Sequence, residues 1–244
     1  MKKGFLLFTV SLVVVLATSC GPRMHKPEAE SLQVPVGEFN AVDIGAHADV
    51  YVTVKEGAAP SLVLKGYADV LHDISTEIKD NTLYIEGDRG FHFSITEGFS
   101  DKPRIEITVS SLSGLELSGA GDVRINGIIQ SARFNLDLSG IGEVKIDELN
   151  ADELSVSASG GGDVEIKKGI VRRAEYELSG AADVKTYGLQ CRDVSVSVSG
   201  AGDVKLSVSD NLDVQISGAG DVKYKGNPVV TKNVSGAGDI TQVN

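Results

Sequence analysis

The sequence contains no tryptophan, only 5% aromatic residues, two cysteines and four histidines in 244 residues. So few cysteines and histidines cannot supply a zinc or iron–sulfur framework, which needs several such ligands at close spacing. The lack of tryptophan disfavours a site that stacks sugar rings. These absences exclude the usual small metal-stabilised folds and weaken a role in carbohydrate chemistry.

Basic residues are also scarce. Lys and Arg together number 23 against 34 Asp and Glu, so the formal net charge is -11. A nucleic-acid-binding protein needs a basic surface, and this balance argues against nucleic acid as a partner. The chain does have 41% hydrophobic residues and 28 glycines, which together indicate a packed, repetitive β-structure.

The first twenty residues follow the pattern of a secretory signal peptide, with lysines at positions 2 and 3 and an apolar stretch over 4–16. This stretch is shorter than the roughly 20 residues of a transmembrane helix. Residues 16–20, LATSC, resemble the lipobox of bacterial lipoproteins, in which the cysteine thiol receives a diacylglycerol. We predict a lipoprotein signal peptide over residues 1–19 and a lipid anchor on Cys20. A secreted protein with a chance cysteine is the alternative.

The region after Cys20 is polar up to about Pro35 and contains three prolines without a hydrophobic period. It predicts an extended tether over residues 20–36, followed by a single domain over 37–244. If Cys20 carries lipid, Cys191 has no partner for an intrachain disulfide, and we expect a structural thiol there.

A six-residue motif of the form SGxGDV recurs in the second half of the chain. Its copies begin at Ser118, Ser139, Ser159, Ser179, Ser199, Ser217 and Ser235. The copies are 18 to 21 residues apart, and residues 45–50, GAHADV, resemble a degenerate further copy. This period is typical of repeat proteins, in which each repeat buries its apolar side against the next.

Apolar and polar residues alternate on both sides of each motif, which predicts β-strands with one buried face. A third apolar position follows at Ile128, Leu149, Ile170 and Leu189. The repeat therefore predicts an all-β fold, a parallel β-solenoid or β-helix with coils of about 18–21 residues. We expect its glycines to provide positive φ and free space at a sharp corner. A β-sandwich or a propeller is the alternative, although propeller blades are usually longer.

Residues 37–113 are less regular than the repeats. Alternating residues over 74–78 and 83–85, separated by Lys79-Asp80-Asn81, predict a β-hairpin. We expect this half to cap the open end that a solenoid otherwise exposes.

Stacked repeats align one outward acidic residue per coil. The column contains Asp122, Glu143, Asp163, Asp183, Asp203, Asp221 and Asp239. Carboxylates about 4.8 Å apart repel one another, so the fold must offset this repulsion. Arg124, Lys145, Lys185, Lys205 and Lys223, each two positions after an acid, favour a structural corner with acid–base pairs. Calcium, with Asp163 and Glu165 as its best-placed ligands, and recognition of an external ligand are the alternatives.

The sequence shows no catalytic arrangement. Seven equivalent corner serines without a nearby histidine predict hydrogen-bonded turns rather than nucleophiles. The irregular stretch 88–104 offers the only cluster that would suit a polysaccharide-active β-helix enzyme, an idea that rests on fold analogy. That cluster comprises Arg89, His92, Glu97, Asp101, Lys102 and Arg104, and a plain loop is the favoured interpretation.

Residues 39–54, 81–87 (NTLYIEG), 102–117 (KPRIEITVSSLSGLEL) and the serial SGAGDV units resemble the putative auto-transporter adhesin, head GIN domain family. The resemblance covers about residues 38–244. It implies an all-β solenoid in a bacterial envelope protein, often a lipoprotein of gut Bacteroidetes, and it carries over no catalytic residues.

We therefore expect a non-enzymatic, lipid-anchored protein of the cell envelope, most simply of the outer membrane. It would act as an adhesin or a binding or scaffolding module for a surface glycan or protein, without a cofactor. A role as an envelope-stress or assembly accessory protein is the alternative, and a polysaccharide-active β-helix enzyme is a weaker one.

Overall fold

The computed structural model describes residues 29–87 and 102–243. Within these ranges the chain forms β-strands almost throughout, with one short helix between two strands. In chain order the elements are β1 (Ala29–Val34), β2 (Ala41–Ile44), β3 (Asp49–Val54), β4 (Ser61–Tyr67), α1 (Ala68–His72), β5 (Ile74–Lys79), β6 (Thr82–Gly87), β7 (Arg104–Val109), β8 (Gly114–Leu117), β9 (Val123–Leu138), β10 (Glu143–Ala158), β11 (Asp163–Ile166), β12 (Gly169–Leu178), β13 (Asp183–Val198), β14 (Val204–Ile216), β15 (Val222–Lys225), β16 (Val229–Val234) and β17 (Ile240–Gln242).

The repeats form stacked parallel coils, which confirms the predicted β-solenoid. Each SGxGDV motif makes a corner, and the strands before and after it pair in register with those of the neighbouring coils. Val123 and Val144, for example, are paired after the corner, and Leu136 and Val156 before it. The same register places chemically similar residues in columns along the whole stack.

Two parallel sheets result, and we name them by their position relative to the corner. The pre-turn sheet contains β2, β6, β8, β16 and the C-terminal parts of β9, β10, β12, β13 and β14. The post-turn sheet contains β3, β7, β11, β15, β17 and the N-terminal parts of β9, β10, β13 and β14. Their outer surfaces are called the pre-turn face and the post-turn face below.

The core lies between the sheets and consists of columns of aliphatic residues. Leu149 and Leu189 on the third side of the coil are buried as expected. The expectation for Ile128 and Ile170 is wrong, because they are 47% and 68% exposed while the next residues, Ile129 and Val171, are buried. The ladder between β9 and β10 shifts register just before this side, and such an irregularity breaks the period of two.

The N-terminal half caps the stack, but its coils are not in chain order. The β2–β3 coil is sandwiched between the β6–β7 coil and the coil that β8 and β9 begin. Strands β5, β4 and β1 then pair antiparallel at the outer end. The predicted hairpin is β5–β6, whose turn residues Asp80 and Asn81 both have positive φ. GAHADV aligns with the first SGAGDV corner, so it is a true copy of the motif.

The tether predicted over residues 20–36 is wrong at its C-terminal end. Residues 29–34 form strand β1, where Leu32 pairs with Leu64 and Val34 with Leu62 of β4. Leu32, Val34 and Val36 pack partly buried against the core. Their alternation spans only three apolar residues and is interrupted by Pro35, so it is too short to signal a strand without its distant partner. Residues 1–28, including the predicted signal peptide and Cys20, lie outside the described part of the chain.

Candidate functional site: the outer faces of the solenoid

The corner glycines are required because successive corners stack with their backbones in contact. A Cβ atom built on Gly140 would overlap the carbonyl oxygen of Gly119, and one on Gly142 would overlap that of Gly121. The middle position of the corner is open: in the next coil, a Cβ at Gly161, between Gly160 and Gly162, would meet no atom within 4 Å. Among the glycines at the fourth position of the motif, only Gly121 and Gly142 have positive φ. Close backbone approach, more than positive φ, therefore explains most of the glycine in the motif.

The acidic column caps backbone groups along the stack. Five aspartates of this stack accept a hydrogen bond on Oδ1 from the backbone N–H of the acidic residue in the next coil. The bonds are Asp122 N–H to Asp49 (3.2 Å), Glu143 N–H to Asp122 (3.1 Å), Asp203 N–H to Asp183 (3.0 Å), Asp221 N–H to Asp203 (2.9 Å) and Asp239 N–H to Asp221 (3.0 Å). A carboxylate that accepts a backbone N–H is stabilised in its charged form, which offsets the repulsion along the column.

The column is interrupted at Glu143, whose side chain is one methylene longer than aspartate. The N–H of Asp163 donates instead to the carbonyl oxygen of Gly142 at 3.1 Å. Glu143 pairs with Lys145 at 2.6 Å, and Asp163 with Lys185 at 2.8 Å. The hydrogen bond to Asp163 raises the pKa of the Lys185 ammonium.

Asp163 and Glu165, which the sequence offers as calcium ligands, therefore face lysines. Asp163 binds Lys185, and Glu165 lies 3.9 Å from Lys145. Within residues 29–87 and 102–243, no three His, Cys, Asp or Glu side chains are arranged to hold a metal ion. A calcium ion at this position would have to displace both ammonium groups.

Most basic residues of the post-turn face contact an acidic or aromatic side chain of a nearby strand position. Arg124 donates to the Tyr51 hydroxyl at 3.0 Å, and Arg104 stacks over the same ring at 3.8 Å. Lys223 lies 3.6 Å from Asp221. Each exposed pair contributes at most about 1 kcal/mol, but together they engage most charged groups of this face.

The pre-turn face differs because its outward residues are mostly small or acidic. Its outward residues form two central columns. The first contains Asn135, Ser155, Glu175, Ser195, Asp213 and Thr231. The second contains Asp43, Glu116, Asp137, Ser157, Glu177, Ser197, Gln215 and Asn233. The small side chains leave two shallow depressions of about 170 and 230 Å³, one toward each end.

The N-terminal depression is acidic. Asp43, Glu116 and Asp137 lie side by side on adjacent strands, with Tyr84 next to Asp43. Burial, and then the neighbouring Asp43 and Asp137, raise the pKa of Glu116. Burial, and then Glu86, raise the pKa of Asp43. In the described part of the chain no lysine or arginine forms an ion pair with any of the three.

The C-terminal depression is mixed in character. Arg173, Asp193 and Asn211 border it along one column, and Val194 and Leu212 contribute its apolar part. Neither depression was identified from the sequence. The signal was an acidic residue two positions before the corner in successive coils, as in AVDI, GLEL and NLDL.

The residues considered as catalytic, namely the corner serines, the histidines and Cys191, do not form a catalytic site among the described residues. No hydrogen bond there joins a histidine to a corner serine; the Ser199 hydroxyl donates to the carbonyl oxygen of Leu178 at 3.4 Å. Cys191 is buried, and burial raises the pKa of its thiol to about 12, so it is a core residue rather than a nucleophile.

The stretch considered for a polysaccharide-active site lies mostly outside the described residues. Arg89, His92, Glu97 and Asp101 belong to the range that is not described. Lys102 lies 3.7 Å from Asp49, and Arg104 pairs with Glu106 at 2.9 Å. Lys102 thus pairs with an acid of the neighbouring strand β3, and Arg104 with an acid of its own strand β7.

Comparisons with known proteins agree with this architecture. The sequence profile described as "Putative auto-transporter adhesin, head GIN domain" matches residues 38–228, more than half of the chain. No curated protein matches the sequence significantly. In the described residues, no helix has the length and apolar character needed to span a membrane.

Several crystal structures share the fold. A putative adhesin from Bacteroides fragilis has a TM-score of 0.81 at 27% identity, covering 88% of this chain and 97% of that one. A putative adhesin from Parabacteroides distasonis has a TM-score of 0.69 at 19% identity, covering 89% and 98%. A protein of the same species described as a putative lipid binding protein has a TM-score of 0.65 at 23% identity, covering 90% and 98%.

Proposed function

Because this chain belongs to the family of putative auto-transporter adhesins with the head GIN domain, we propose that it is a non-enzymatic, lipid-anchored binding module of the cell envelope. The observation that carries the proposal is the contrast between its two faces. The post-turn face uses most of its charges for backbone caps and ion pairs. The pre-turn face has ion pairs along one outer column, where Glu153 contacts Arg133 and Arg173, but its two central columns present small and acidic groups in register.

The pre-turn face is the proposed contact surface. Its outward groups repeat about every 4.8 Å, which suits an extended or repetitive ligand. Asp43, Glu116 and Asp137 supply acceptors that no basic side chain of the described residues occupies. A ligand with hydrogen-bond donors or positive charge, on a surface protein or a glycan, matches these groups.

Binding is tested with the full chain, purified in detergent, on an array of envelope proteins and glycans. We expect selective binding to a small subset that is rich in basic or donor groups. Triple substitution of Asp43, Glu116 and Asp137 by Asn, Gln and Asn is expected to reduce that binding at least tenfold. An array without signal above background contradicts the proposal.

Anchoring through Cys20 is the second part of the proposal. The described domain begins at residue 29, so only residues 20–28 separate it from the lipid. Nine residues span at most about 30 Å, which would keep the N-terminal cap next to the bilayer. Two or three acyl chains suffice for stable anchoring.

Mass spectrometry of the mature N-terminus tests the anchor. The expected product begins at Cys20 and carries the mass of a diacylglycerol, and Cys20→Ala should leave an unprocessed, unlipidated chain. Cys191→Ala is the matched control and should be processed normally. A mature N-terminus at any other residue contradicts this part of the proposal.

A further inference from the structure

The last coil of the solenoid, formed by β16 and β17, differs from the others at its inward positions. One core column runs through Leu136, Val156, Tyr176, Val196 and Val214 and then reaches Lys232. A second runs through Ile146, Ile166, Thr186, Leu206 and Tyr224 and then reaches Gln242. In both columns the last coil has an exposed polar residue in register with the buried or partly buried residues of the preceding coils.

These polar residues lie where the solenoid exposes its free end. Val230 and Ile240 are only partly buried, and Val234 is 41% exposed. Among the described residues, β16 pairs with β14 and β17 pairs with β15, so the outer edge of each strand carries unpaired backbone groups. An apolar end with free strand edges is a template for pairing with another chain.

We propose that Lys232 and Gln242 make the last coil a polar cap that prevents this end from pairing with a second copy of the chain. An inward-pointing charge on an edge strand opposes pairing because the partner would bury it. Gln242 also donates to the carbonyl oxygen of Gly226 at 2.6 Å, which satisfies an exposed carbonyl in the turn between β15 and β16.

Strand geometry explains why the position of Lys232 is effective. The opposite end of the stack finishes in the antiparallel strands β1 and β5, so the two ends differ, and a contact between two C-terminal ends would join the last coils of the two copies. Two β16 strands related by a twofold axis would pair antiparallel, with inward residues opposite inward residues. Two registers of equal length fulfil this: in one, Lys232 lies opposite the same lysine of the other copy, and in the other it lies opposite Val230, so that the two lysines are diagonal neighbours. In either register two like charges would lie close together in the joined core.

The oligomeric state of the full chain tests this cap. The protein is purified in detergent under reducing conditions, and its mass per micelle is measured by light scattering with the detergent contribution subtracted. We expect one chain per micelle for the wild type and two for Lys232→Val combined with Gln242→Val. Lys232→Glu should stay single, because it keeps a charge that dimerisation would bury. Lys79→Val is the control: it removes a positive charge from β5 at the N-terminal end, and it should also give one chain per micelle.

Hydrogen exchange locates the contact, because residues 229–234 should become protected in the dimer of the double variant. Lys232→Met alone, a milder change, should give a weaker dimer with the same protection if the double variant fails to fold. A wild type that already dimerises through residues 229–234 would overturn the proposal. The proposal would also be overturned if both Lys232→Met and the folded double variant gave one chain per micelle.

Discussion

At the scale of single residues, the space between coils decides which positions accept a side chain. Gly160 and Gly161 are neighbours in the same corner but have opposite surroundings. A Cβ at Gly160 would overlap the carbonyl oxygen of Gly140, whereas a Cβ at Gly161 would project into open space. Sequence composition alone does not distinguish the two glycines.

We therefore expect Gly160→Ala to lower the free energy of unfolding by about 2 kcal/mol or more, because the coils must separate to admit the methyl group. Gly161→Ala should change it by less than about 1 kcal/mol, in either direction. Urea denaturation of both variants measures the difference. Equal destabilisation would show that the corners are not stacked as described.

Cys191 lies in a core column between Val171 and Val208. Burial raises the pKa of its thiol to about 12, above the value of about 8.5 in an unfolded chain. Between these two values the unfolded thiol has lost its proton while the folded one retains it. The folded state therefore binds more protons, and the free energy of unfolding falls as pH rises through this window.

Cys191→Val should remove that part of the pH dependence, since valine fits the column and does not titrate. The measurement is denaturant unfolding of both proteins between pH 8 and pH 10.5. Both proteins are compared in a Tyr176→Phe background, because burial and then the neighbouring Cys191 raise the pKa of Tyr176, so its titration would change with the substitution. Parallel curves for the two proteins would contradict the burial of the thiol.

At the scale of the strand and its corner, the aspartate column joins coils through side chain–backbone bonds. Asp203 accepts the N–H of Asp221, while Asp163 accepts no backbone N–H and binds the exposed Lys185. Two members of one column therefore have different energetic roles.

Asp203→Ala should cost about 1 kcal/mol of stability, because it leaves the Asp221 N–H without its partner. Asp203→Asn should cost less, since the amide oxygen can accept the same bond. Asp163→Ala should cost no more than about 0.5 kcal/mol, as expected for an exposed ion pair. Thermal unfolding ranks the three variants, and a larger loss for Asp163→Ala than for Asp203→Ala would contradict the assigned roles.

The elements that the sequence predicts well are those with local signals. Alternation and the repeated corner define the coils, and Asp80-Asn81 marks the hairpin. Strand β1 and the insertion of the β2–β3 coil between later strands depend on pairings far apart in the chain, which no local pattern specifies. The acidic depression was missed for the same reason, since Asp43 and Glu116 meet only through strand order.

At the scale of the whole molecule, the stack has two unlike ends and two unlike faces. The antiparallel strands close the N-terminal end, and the polar coil forms the other. The post-turn face uses most of its charged groups in caps and ion pairs, whereas the acidic groups of the central pre-turn columns, Asp43, Glu116 and Asp137, form no ion pair among the described residues. We expect a ligand to lie along the pre-turn face, across several coils.

The most direct measurement compares ligand affinity for two single-arginine variants of the full chain, using the ligand that the array identifies. Ser195→Arg places a bulky side chain at the centre of the pre-turn face, and Thr241→Arg places the same side chain on the post-turn face; both parent residues are exposed. The account predicts that Ser195→Arg raises Kd at least tenfold, about 1.4 kcal/mol, while Thr241→Arg changes it less than twofold. Equal effects, or a greater loss for Thr241→Arg, would contradict it.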